Sequence, residues 1–285
     1  MILGAKGLLG AELVDFFKRS GSYSVVGLNH TQADITDEKN LFRSFSRYEP
    51  DIIINCAALI NVEYCETNPF EAWKINAGGP GTTVHIMRVL GLKALFIHIS
   101  SAYVFGSDRK RFREDDEAHP VNNYGISKLM GERLVEAEAR AAGMRFFIIR
   151  TSWLYGRFRP TLVDSIVMKL RKHKPFAVID DHRGVVTSTK NLAWGVGELI
   201  KNKYASGTYH LFDKSNGGVT KYEIALEIAK TLGFDSRLLK RISGADILTV
   251  SYPTSAILVN TKFRAFPDWR TSLRAYLLEH YGKEK

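Results

Sequence analysis

Over its first 150 residues the chain alternates short apolar runs with segments whose apolar positions recur at helical spacing. Residues 1–3 are apolar, and 8–19 follow with helical periodicity. Residues 23–28, β-branched in part, lead into a helical pattern over 37–48. A short buried strand is expected at 51–55, a helix at 70–91, a strand at 94–99, a long helix at 124–142 and another strand at 145–149. Such alternation predicts an α/β fold with a doubly wound parallel sheet and helices on both faces. Its ligand crevice should lie at the carboxyl ends of the strands. After Arg150 the rhythm breaks into short strands and helices. The expected division is therefore 1–150, with part of 185–212 returning to it, and 151–285 as mainly a smaller α/β substrate-binding domain.

Composition narrows the class. The chain has 285 residues, 45% hydrophobic and 25% charged, and no apolar run approaches the ~18 residues of a membrane span. No basic segment followed by an apolar stretch opens it, so no membrane association and a cytoplasmic location are expected. Cys56 and Cys65 are too few for a disulfide framework. His98, His119, His173 and His182 are scattered without ligand spacing, and no metal is expected. The net charge of +10 raises the question of nucleic acid. However, the basic run 109–113 is followed at once by Glu114-Asp115-Asp116-Glu117, and Lys169 to Lys174 reads as a solvated helix end. Neither has interleaved aromatics, so no nucleic-acid partner is expected. Anionic small molecules explain the charge equally well.

Three local patterns carry chemistry. Gly4-Ala5-Lys6-Gly7-Leu8-Leu9-Gly10 follows a strand and opens a helix, where glycines let backbone amides approach a pyrophosphate. This is the signature of a Rossmann-type βα unit, with Gly4, Lys6, Gly7, Leu8, Leu9 and Gly10 as cofactor-binding candidates. About twenty residues on, where an acid would bind an NAD ribose, stand Asn29, His30 and Thr31. Strict NAD selectivity is not indicated; His30 and Lys6 would tolerate a 2′-phosphate, which slightly favours NADP over NAD. Asp34 and Ile35 are placed to meet the adenine. The second pattern is Tyr124 and Lys128, four apart and on one helix face. Alone, such a pair is better explained by an exposed helix face with the tyrosine packed on the lysine stem. As chemistry, the ammonium would lower the phenol from its usual pKa of about 10 and allow proton exchange near neutrality. The third is Ser101, at the carboxyl end of a strand, where its hydroxyl can bond a substrate carbonyl.

These pieces resemble the extended short-chain dehydrogenase/reductases and, among them, the dTDP-4-dehydrorhamnose reductase family. The resemblance runs through the glycine loop, residues 33–37, Pro50 to Ala58, Ile75-Asn76-Ala77, Tyr103-Val104-Phe105, Asn123 to Lys128, Arg150 to Gly156 and Pro267 to Arg270. It implies catalytic roles for Ser101, Tyr124 and Lys128. It adds Cys56, Ala57, Ala58 and Asn76, with Tyr124 and Lys128, to the cofactor site, and Ala102, Tyr103 and Trp153 to the sugar site. The implied activity is NAD(P)H-dependent reduction of the C4 ketone of a nucleotide-linked 6-deoxy-4-keto sugar. A nucleotide-sugar 4-epimerase remains open, as does a non-catalytic regulatory subunit similar to the methionine adenosyltransferase β subunit. So does a homodimer. The chain departs from the family pattern in four places. Ser101-Ala102 stands for Thr-Asp, and Asp180 to Thr187 lacks the expected Gln and Pro. Tyr252-Pro253 replaces Arg-Pro, and Asn260 replaces an Asp.

Overall fold

The computed structural model describes residues 1–106 and 111–282, so Arg109 and Lys110 of the basic run lie outside the described residues. A six-stranded sheet organises the chain in the order Gly207–His210, Phe146–Thr151, Leu95–Ser101, Ile52–Asn55, Ile2–Leu3, Gly27–Leu28. Every neighbouring pair is parallel. Side chains alternate across the strands, as a period of two demands. Ile97, Phe147 and Ile149 face helices Leu8–Ser20 and Thr189–Lys201 through Leu13, Phe17, Leu192 and Val196. Phe96, Phe146 and Ile148 face the other side, against Leu41, Phe45, Val84, Met87 and Val135 of helices Glu38–Tyr48, Gly79–Val89 and Asn123–Ala141. The molecule thus has the expected α/β architecture, with the carboxyl ends of its strands along one edge.

Two elements differ from the pattern's prediction. The run 23–28 contributes only Gly27–Leu28 to the sheet, because its partner Ile2–Leu3 offers two residues for pairing. Tyr23 instead packs edge-on against Phe17. The helix expected over 70–91 is broken into Pro69–Trp73, a widened π-turn over Lys74–Gly78, and Gly79–Val89. Pro80 lacks the N–H that would close a regular α-turn onto Asn76. The Asn76 side chain holds the opened turn, donating to the Leu59 carbonyl at 2.8 Å and to Ser127 Oγ at 3.0 Å while accepting from the Leu59 amide at 2.8 Å. Gly131 lets the neighbouring helix come close, since a Cβ there would lie 2.2 Å from the Asn76 oxygen.

The rest of the chain gathers helices Leu162–Leu170, Lys221–Leu232 and Trp269–Tyr281 around Ile166, Ile224, Ile228, Trp269 and Leu273. Short paired strands flank them, among them Phe176–Ile179 with Leu239–Ile242 and Arg183–Gly184 with Val219–Thr220. No helix among the described residues is long and apolar enough to cross a membrane.

Candidate active site

The glycine loop is shaped by contacts no side chain would tolerate. Gly4 has φ +75°, and a Cβ on it would lie 2.7 Å from the Ala57 nitrogen; one on Gly10 would lie 2.2 Å from the Gly4 oxygen. The chain therefore turns tightly from strand to helix, with Gly7 as N-cap and no side chain satisfying the first amides. A groove of about 460 Å³ opens there, lined by Gly4, Lys6 and Gly7, by Asn29, His30, Asp34 and Ile35, and by Cys56, Ala57 and Ala58. Lys74 and Arg159, which the sequence did not single out, also line it. Arg159 reaches the loop from the second half of the chain, donating from Nε to the Lys6 carbonyl at 2.9 Å. Leu8, Leu9, Gly10 and Asn76 lie outside the lining, Leu9 being packed in the core. Asp34 accepts from the amide and hydroxyl of Thr36 and pairs with His30 at 3.3 Å. Its carboxyl is held below the usual range: the Thr36 hydrogen bonds and the His30 and Lys74 charges outweigh desolvation, the largest single effect. A glycine cradle that a Cβ would fill, beside a cationic groove, fits a dinucleotide pyrophosphate.

Ser101, Tyr124 and Lys128 meet at the end of the central strand. Asn122 caps the helix by accepting from the Gly125 amide at 2.8 Å, which brings Tyr124 into the first turn. Its phenol lies near the Ser101 hydroxyl, which favours the ionised form, and Ser101 Oγ accepts the Tyr103 amide at 3.1 Å. The expected lowering of the Tyr124 pKa by Lys128 does not govern this arrangement. Desolvation pushes the phenol up to about 12 and outweighs the effect of the Ser101 hydroxyl. Lys128, 1% exposed, turns toward the strand instead, donating to the Ile99 carbonyl at 2.8 Å and facing His98 Nε2 at 3.3 Å. Burial brings it down to about 8 against the opposing pull of Glu132. His98 completes a chain. Asn55 Oδ1 accepts the Ala57 amide, so Asn55 Nδ2 faces His98 Nδ1 at 3.3 Å. Burial disfavours the Lys128 ammonium and the Glu132 charge favours it, so the lysine keeps its proton at neutral pH and loses it near pH 8.

Beyond the phenol lies an aromatic wall. Tyr103 stands edge-on to Tyr124, with centroids 5.9 Å apart, and edge-on to Tyr252 at 6.0 Å. Trp153, held at φ +38°, donates from Nε1 to the Tyr103 hydroxyl at 3.3 Å. Ala102, expected at the sugar, is buried and packs with Val104, Phe105 and Phe112. Three residues here were missed as site candidates. The Tyr252 hydroxyl donates to Glu63, and the Lys221 ammonium lies 6.0 Å from the ring centroids of both Trp153 and Tyr252. Only the departure at Tyr252 gave any signal in the sequence.

Fold and site together define a Rossmann-type α/β protein of short-chain dehydrogenase/reductase architecture. The chain belongs to the RmlD substrate binding domain family, which it matches over residues 1–281. It is 32% identical to the spore coat polysaccharide biosynthesis protein SpsK of Bacillus subtilis, over 98% of this chain and 96% of that one. It is 30% identical to dTDP-4-dehydrorhamnose reductase of Streptomyces griseus, over 96% and 91%. The crystal structure of dTDP-4-dehydrorhamnose reductase from Bacillus anthracis in complex with NADP superposes with a TM-score of 0.89, at 26% identity, covering 98% of both chains.

Proposed function

We propose that the protein is an NAD(P)H-dependent reductase of the C4 ketone of a dTDP-linked 6-deoxy-4-keto sugar. The observation that carries the reading is the Tyr124 phenol, half-buried, protonated at neutral pH and set beside the Ser101 hydroxyl at the strand end. A bound reduced nicotinamide supplies the hydride for the ketone carbon. Tyr124 delivers its proton to the ketone oxygen as that oxygen becomes an alkoxide, and the phenolate left behind regains a proton from solvent. The Ser101 hydroxyl donates to the same oxygen and stabilises the charge as it develops. Lys128 holds the nicotinamide ribose, and residues 1–150, with part of 185–212, form the cofactor half. Residues 151–285 supply most of the sugar half, with Tyr103 and Trp153 as its wall. NADP is preferred over NAD, because no acid occupies 29–31 and the three cations Lys6, Lys74 and Arg159 outnumber the carboxylates Asp34 and Glu71 in the groove lining.

The test is NADPH oxidation with a dTDP-4-keto-6-deoxy sugar, run alongside NADH. Tyr124→Phe should lower kcat by about 10²–10⁴-fold while NADPH binding persists. Turnover at the wild-type rate in that variant removes Tyr124 as the acid.

A further inference from the structure

We infer that Lys221, gripped between the rings of Trp153 and Tyr252, is the cation that binds the diphosphate of the nucleotide-sugar substrate. The inference rests on the reductase reading for its substrate, but its geometry stands apart from the reacting groups. Among the described residues no acceptor is hydrogen-bonded to the Lys221 ammonium, and no carboxylate forms an ion pair with it. Its neighbours are the two ring faces, each at 6.0 Å. Glu63 is the acid that acts on it from a distance, and Glu63 already accepts the Tyr252 hydroxyl. Desolvation by the surrounding rings lowers the lysine pKa despite Glu63. A cation also gains nothing from its position: Lys221 opens the helix Lys221–Leu232, whose positive end disfavours it. A partly desolvated ammonium without an acceptor is stabilised by an anion brought to it.

The anion is a phosphate because of where the lysine stands. The aromatic wall runs continuously from the reacting hydroxyl to the ammonium: Tyr124 touches Tyr103, Tyr103 touches Trp153 and Tyr252, and both flank Lys221. A sugar lying on this wall with its ketone at Tyr124 directs its anomeric substituent away from the nicotinamide side. In a nucleotide sugar that substituent is the diphosphate.

The experiment measures dTDP and thymidine binding by calorimetry, and steady-state kinetics, on the full chain. Lys221→Met keeps the stem between the rings and removes the charge. It should weaken dTDP binding about 10- to 100-fold and leave thymidine binding unchanged. KM for the dTDP-sugar should rise by a similar factor, while kcat and KM for NADPH stay within about twofold. Lys221→Arg should restore most of the affinity, and Glu63→Gln should tighten dTDP about two- to fivefold by removing the competing charge. Equal dTDP affinity in wild type and Lys221→Met, absence of dTDP binding to the wild type, or weaker binding in Glu63→Gln each overturn the assignment. Failure of ketone reduction itself reads out separately, through turnover, and leaves the dTDP comparison intact.

Discussion

Lys128, proposed to bind the nicotinamide ribose, is held where burial opposes its charge. Its folded-state pKa, about 8, lies below the 10.5 of a free lysine. The unfolded chain therefore binds more protons between those values, and stability rises with pH through that window. Below pH 8 the buried ammonium destabilises the fold by about 3 kcal/mol, from the size of the shift. Lys128→Met removes that penalty but leaves the Ile99 carbonyl without its donor, a loss of about 1 kcal/mol. The expected outcome is a variant more stable than wild type at pH 7, inactive, and with the advantage fading by pH 10. Urea unfolding at the two pH values checks it; a variant less stable at pH 7 would contradict the burial argument. For catalysis the same titration predicts a basic limb in kcat/KM near pH 8 in the free enzyme, because Tyr124 stays protonated to about 12. At this scale Ser101, Tyr124 and Lys128 were legible because strand end and helix start fix them locally. Lys221 and Glu63 were not, since 158 positions separate them and only the folded chain brings them to one ring.

At the scale of elements, the glycine loop and the π-turn show what periodicity can and cannot report. The helix Leu8–Ser20 was readable from its apolar spacing, and the need for glycine at 4 and 10 from the turn that precedes it. Gly10→Ala tests the turn directly. Helix propensity alone would favour alanine by about 1 kcal/mol. The new Cβ, however, meets backbone at 2.2 Å, which cannot rotate away, and overpacking of this kind costs about 1–3 kcal/mol. The variant should lose stability and bind NADPH more weakly, measured by thermal unfolding and fluorescence titration. Wild-type affinity in Gly10→Ala would separate the loop from the cofactor. The π-turn was hidden because apolar spacing over 70–91 is nearly the same with or without one extra residue per turn. What breaks the helix is polar: Asn76 finds three partners on Leu59 and Ser127, and these are distant in the chain.

Across the whole molecule, the net charge of +10 was plain in the sequence, but its placement was not. The fold sets Lys6, Lys74 and Arg159 around the groove and leaves Lys221 without an acceptor at the aromatic wall. Some basic residues elsewhere pair across the two halves of the chain, as Arg157 does with Asp15 and Lys262 with Asp115. A molecule of net positive charge with lysines and an arginine at its cleft attracts anions from a distance, and both the cofactor and a dTDP-sugar are anions. Raising ionic strength from about 10 mM to about 150 mM shortens the Debye length from about 30 Å to about 8 Å. Over that range kcat/KM for the dTDP-sugar should fall several-fold, to about tenfold, while kcat stays nearly constant, because salt screens approach and not the short-range proton transfer proposed for Tyr124. The dependence should be shallower in Lys221→Met, which lacks one of the attracting charges. Stopped-flow binding and steady-state kinetics across the salt series measure both slopes. A kcat that falls in parallel with kcat/KM would mean that salt acts on the fold or the chemical step, and the steering argument would fail.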